Sequence, residues 1–79
     1  MENLLKYIVT SLVDKPEEVS ITTEEESERV TIVRVTVDKD DVGKVIGRNG
    51  KIANSIRTIV KSVTLKSGKR YVVKIGGKE

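Results

Sequence analysis

The sequence predicts a small α+β fold in which helices pack on one face of a three-stranded sheet. Three observations carry that prediction. Leu4, Leu5, Ile8, Val9, Leu12 and Val13 recur at helical spacing near the start. Val30 to Val37 is a run of mostly β-branched residues that alternates between two faces. Ile52, Ile56, Ile59, Val60 and Val63 return to helical spacing. A chain of 79 residues buries only roughly 60 to 65% of its unfolded surface, so a single domain is expected over residues 1–79.

The elements follow in order. The first helix ends before Pro16, whose ring pushes the preceding residue out of helical angles. Val19, Ile21 and Thr23 alternate with polar residues in a short strand that runs into the acidic turn Glu24 to Glu28. In the next strand Thr31, Val33, Val35 and Val37 share the face expected to be core. Val30, Ile32, Arg34 and Thr36 share the other, which Arg34 marks as partly wet. Asp38 is a candidate N-cap for a short helix, and Asp40 and Asp41 place negative charge at the positive end of its dipole. Val42, Val45 and Ile46 supply that helix's apolar side, and Gly47 breaks it. A longer helix starts after Gly50, Ser67-Gly68 makes a turn, and Tyr71, Val73 and Ile75 form the last strand. Gly76-Gly77 is expected to lead into a frayed tail over 76–79. The order is helix, strand, strand, helix, helix, strand, with no linker or repeat.

Composition narrows the function classes. With no cysteine and no histidine, the chain lacks disulfides, thiolates and the usual transition-metal ligands. It also lacks the two side chains most used in nucleophilic and acid–base catalysis, so no enzyme activity, cofactor or metal is expected. No apolar run is long enough for a bilayer, and the start lacks a signal-peptide pattern, so the chain reads as cytoplasmic with no membrane insertion. The net charge of +3 conceals an asymmetry. Residues 1–28 hold eight acids and two bases, a net of −6; residues 29–79 hold thirteen bases and four acids, a net of +9. From Lys44 to Lys78 there are ten bases and no acid, the footprint of a polyanion-binding surface or of a solvated lysine-rich one.

A motif decides between them. Gly47-Arg48-Asn49-Gly50 joins two helical segments. Glycine permits left-handed backbone and close approach of an anion, and the free N–H groups of the following helix favour an anionic oxygen. Arg48 and Lys51 add charge at the same place, and Asn49 offers an amide donor or tolerates the left-handed region. Val45 and Ile46 are candidates for an apolar surface under unpaired bases. A Walker loop ending at Gly50-Lys51 would need glycine at 45 and Ser or Thr at 52, where the chain has Val45 and Ile52. A dinucleotide fingerprint fails at Val45 as well, and Gly47 follows a helical run instead of a strand. Taken alone, Gly-x-x-Gly also fits a plain bend between helices.

In context, Val45-Ile46-Gly47-Arg48-Asn49-Gly50-Lys51-Ile52 sits between two helices, where KH domains carry their signature loop. Two strands before the helix pair and one after it resemble the type II KH order. The whole chain is similar to small bacterial KH proteins of the KhpA type, from the Leu-Leu-rich first helix through Ile46–Ile52 to Ile56-Arg57-Thr58-Ile59-Val60-Lys61. The resemblance implies that Gly47, Arg48, Asn49 and Gly50 clamp the backbone of about four nucleotides of single-stranded RNA. It implies a groove between the helix pair and an adjoining strand, with Val42, Val45, Ile46 and Ile56 as candidates on the helix side and Ile32 to Thr36, including Arg34, on the strand side. Lys44 and Lys51 flank the loop as further candidates. The resemblance also implies a post-transcriptional regulator or RNA chaperone that forms a homodimer and a heteromer with a larger KH-domain RNA-binding protein. In some bacteria such proteins are linked to cell elongation. Single-stranded DNA fits a phosphate clamp too, and a protein-interaction module with the KH shape is the alternative. The acidic run Glu24-Glu25-Glu26 is expected at the rim of the basic face or away from it. With only Tyr7 and Tyr71 as aromatics, no stacking pair is available and binding by one copy should be weak.

Overall fold

The computed structural model describes residues 1–78. Helix α1 spans Glu2–Leu12 and buries Leu5 and Val9, the i, i+4 pair on its apolar face. Strand β1, Ser20–Glu25, pairs antiparallel with β2, Val30–Asp38, in the register Ile21↔Val35 and Glu25↔Thr31. The short helix α2, Val42–Ile46, and the longer α3, Lys51–Thr64, form a crossover. It returns the chain to β3, Arg70–Lys78, which lies parallel to β2. The strand order is β1-β2-β3, so β2 is central and both other strands are edges. This is the α+β arrangement expected from the sequence.

The core lies between the sheet and the three helices. Val33, Val35 and Val37 of β2 and Val73 of β3 meet Leu5, Val9, Val45, Ile56 and Val60, all buried. None is aromatic; the interior is built from aliphatic side chains, each worth about 1.5–3 kcal/mol when fully buried. Alternation along β2 leaves Arg34 exposed on the sheet's far face, bridged to Glu24 of β1 at 3.6 Å.

Two boundaries differ from the sequence expectation. Asp38 does cap through its side chain, accepting a hydrogen bond from the Asp40 N–H at 3.0 Å, but it caps a 3-10 turn, Lys39–Asp41, that precedes α2. The chain does not fray after Ile75: Gly76, Gly77 and Lys78 stay in β3 opposite Thr36, Val37 and Asp38. A side chain at Gly77 would run into Val42 and the backbone of Lys39, so the bare glycine lets the strand continue past the start of α2. The remaining residue of the expected tail, Glu79, lies outside the described residues.

Candidate nucleic-acid interface

Helix α2 stops abruptly at Gly47, whose N–H donates to the Gly43 carbonyl at 2.8 Å. Gly47 has φ +76° and ψ 174°, a conformation closed to residues with a Cβ, and a Cβ there would also sit 2.6 Å from Ile52 Cγ1. Asn49 follows at φ 57° and Gly50 at φ 75°. Asparagine is the side-chain-bearing residue best suited to that region. The Gly50 N–H closes the turn onto the Gly47 carbonyl at 3.2 Å. The 14-residue helix α3 starts immediately after, with Gly50 at its cap and no side chain bonded to its first N–H groups. The Lys51 N–H turns back onto the Arg48 carbonyl, and the positive end of the helix dipole faces the loop without a side-chain cap. Arg48, Asn49 and Lys51 are exposed around it, and Arg48 and Lys51 make no ion pair among the described residues. The arrangement is a small cationic corner built from backbone N–H groups, Arg48 and Lys51.

The structure separates the other candidates from this loop. Val45 is fully buried in the core, which corrects its reading as a surface for bases; Ile56 is likewise core. Ile46 and Val42 are partly buried. Lys44 points away from the loop into a charge cluster: its Nζ donates to the Asp14 carboxylate and lies 3.4 Å from Asp41 Oδ1. Asp41 is 1% exposed and also accepts the backbone N–H groups of Asp14 at 3.3 Å and Lys15 at 3.0 Å. Burial pushes the Asp41 carboxyl up, but those two N–H donors and Lys44 outweigh it and hold the group below its ordinary range. Lys15 is raised by Asp38 beside it, and Lys44 by its bond to Asp14. Arg34 lies on the face of the sheet opposite the helices and the loop, because residues 33, 35 and 37 take the core side. Ile32 to Thr36 cannot form the strand side of a groove, since β2 is paired along both edges; the strand with a free edge beside α3 is β3.

That edge brings Lys69 and Arg70, which the sequence reads equally as RNA contacts or as solvated edge residues, together with Arg57 and Lys61, which it does not place in the site. A cleft of about 500 Å³ runs between α3 and β3, lined by Arg57, Lys61, Leu65, Lys69, Arg70 and Tyr71 among others. Arg57 bridges it, with Nε donating to the Val73 carbonyl and Nη1 to Asn54 Oδ1, each at 3.3 Å. Asn54, Arg57 and Lys61 follow one another at i, i+3 and i+7, so a polar stripe leads from the loop along α3 into the cleft. That stripe was the available signal. It is masked in the sequence by the stronger apolar periodicity of Ile52, Ile56 and Val60 on the adjoining face.

The helix pair joined by a glycine-framed loop, with two strands before it and one after, defines a KH domain of the type II order. The family model for the KhpA/KhpB KH domain matches residues 2–75, and the chain belongs to this family. It is 45% identical over 75 residues to the RNA-binding protein KhpA of Clostridium perfringens, covering 95% of this chain and 99% of that one. It is 48% identical over 75 residues to the RNA-binding protein KhpA of Oceanobacillus iheyensis, with the same coverage. The RNA-binding protein KhpA of Borreliella burgdorferi is 43% identical over 72 residues, which cover 91% of this chain and 87% of the relative. No solved structure matches the chain. Among the described residues, no helix is long and apolar enough to cross a membrane.

Proposed function

We propose that the chain binds single-stranded RNA, seating its backbone on Gly47 to Lys51 and laying bases along the cleft between α3 and β3. The observation that carries this is the N-terminus of α3, without a side-chain cap, behind a loop in left-handed turns and flanked by Arg48 and Lys51, which have no ion-pair partner among the described residues. Family membership and relatives named as RNA-binding proteins support the same reading. The protein acts as a binding module in the cytoplasm, as a post-transcriptional regulator or RNA chaperone, and not as an enzyme. Single-stranded DNA fits the phosphate grip as well, since the grip does not involve the 2′-OH.

The interaction-module reading has one observation of its own. Ile59, Val63 and Leu65 are 40%, 59% and 73% exposed at and just beyond the end of α3. Such a stripe suits a second copy or a larger KH-domain partner, and pairing would raise the weak affinity of one site through avidity. Ile59 and Val63 lie outside the cleft lining, so pairing through them leaves the loop and cleft free, whereas Leu65 is shared by both readings.

The test is the double substitution Arg48→Asp with Asn49→Asp. Both side chains are exposed, so circular dichroism should be unchanged, while affinity for an unstructured RNA oligomer should fall at least about tenfold at 0.1 M salt. Unchanged affinity in the folded variant would exclude the loop as the binding site.

A further inference from the structure

The basic cleft ends against a second concavity that brings carboxylates to its border. Tyr71 and Lys69 line the cleft beside α3 and also line a second concavity, completed by Met1, Glu2, Glu25 and Thr31 among others. Sheet register explains the adjacency: Glu25 pairs with Thr31 and Thr31 with Tyr71, so one row of side chains on the helix-facing side crosses the sheet from its acidic edge to its basic edge. The β1–β2 turn is fastened to the same end, where the Arg29 carbonyl accepts the Arg70 N–H at 2.6 Å. That brings Glu26 and Glu28 to the same end. Glu2 is held in place by the Thr23 hydroxyl, which donates to its carboxylate at 3.2 Å. Neither Glu2 nor Glu25 forms an ion pair among the described residues.

We propose that Glu2 and Glu25 form an electrostatic stop that ends the protein's footprint on a bound strand at Lys69 and Tyr71. The inference rests on the RNA-binding reading above and deepens it. A strand gripped at the loop and running through the cleft finds basic residues as far as Lys69 and Arg70. A phosphate carried one step further meets two carboxylates that no ion pair within 4 Å neutralises, with Lys69 the one cationic side chain in the same lining. The favoured ligand is therefore a short unpaired segment whose chain leaves the protein surface at Tyr71, not a long strand tracked across the sheet. The sequence holds this charge boundary in its acidic first third and basic remainder, and the fold brings the two into contact at one end of the sheet.

The experiment compares affinities for unstructured 5-mer and 12-mer RNA by fluorescence anisotropy in wild type, in Glu2→Gln/Glu25→Gln, and in Glu17→Gln/Glu18→Gln. The last pair makes the same charge change in the turn after α1, where Glu18 bridges Lys78 at the opposite end of β3. Extra binding registers on the longer oligomer are common to all three proteins and cancel in the comparison. The 12-mer to 5-mer affinity ratio should rise about three- to fivefold in Glu2→Gln/Glu25→Gln and stay at the wild-type value in the control. Glu25→Gln alone, an isosteric change on an edge strand, should give a smaller rise in the same direction. An unchanged ratio, or an equal rise in the control, overturns the stop while leaving RNA binding intact. A wild type that binds neither oligomer overturns the RNA-binding reading and the stop with it.

Discussion

Both ends of helix α2 are charged, and they use their charges in opposite ways. At its start Asp38, Asp41 and Lys44 are spent internally: Asp41 is buried under two backbone N–H groups and one ammonium, and Lys44 is divided between Asp14 and Asp41. At its end Arg48 and Lys51 have no carboxylate partner among the described residues, and the first N–H groups of α3 have no side-chain cap. The first end is a fastener that holds the α1–β1 connection against α2. The second is an unfilled site. A basic residue near a phosphate-binding loop is thus informative only once its partners are known, and the lysines on either side of this loop fall in different classes.

The largest effect expected from breaking the contrast is at Asp41. Asparagine keeps the shape but turns an amide N–H₂ toward backbone N–H donors or toward Lys44, leaving buried donors without an acceptor. Asp41→Asn should lower the melting temperature by about 10 °C at neutral pH. Its RNA affinity, measured where the variant is fully folded, should stay close to wild type. The pH dependence has a definite sign. Because the folded Asp41 pKa lies below its ordinary value, its stabilising contribution is complete above that ordinary value, near 4, and is lost as pH falls through the folded pKa. Wild type should therefore lose its advantage over Asp41→Asn on acidification below about pH 4, read from paired thermal melts.

A smaller effect is expected at the cleft, where two arginines sharpen the comparison. Arg57 is anchored to the Val73 carbonyl and to Asn54 beside the proposed path of the bases, whereas Arg34 is bridged to Glu24 on the far face of the sheet. Arg57→Ala should weaken RNA binding about three- to tenfold, the range for one charge-assisted contact. Arg34→Ala should leave it unchanged in the same titration. The pair also shows where reading the sequence succeeds and where it stops. Alternation along Val30 to Val37 correctly puts Arg34 opposite the core, because strand periodicity is a local property. It does not reveal that β3 inserts parallel beside β2 and leaves its own edge against α3. That pairing joins residues some forty positions apart, and only it makes Arg57 a cleft residue. Asp41 was hidden for a related reason: beside Asp40 it reads as one more acid at a helix start, and its burial depends on residues 14 and 15 packing over it. The loop itself was legible because glycine spacing and the helical patterns on either side are contained in a few consecutive residues.

The smallest effects test the two lysines directly. Lys51→Gln removes an unpaired charge at the mouth of the site, so affinity should fall about three- to fivefold, and the slope of log affinity against log salt should shrink by about 0.7, one phosphate contact on a single strand. Lys44→Gln removes a charge already balanced by Asp14 and Asp41, so the change should stay below about twofold with no change in slope. Its cost should appear instead as a modest loss of thermal stability, since Asp41 then keeps only its backbone donors. The reverse ranking would carry a specific meaning. If Lys44→Gln weakened binding more than Lys51→Gln and also flattened the salt slope, Lys44 would have to leave Asp14 when RNA arrives. The fastener at the start of α2 would then open on binding, and the two ends of the helix would act as one coupled site.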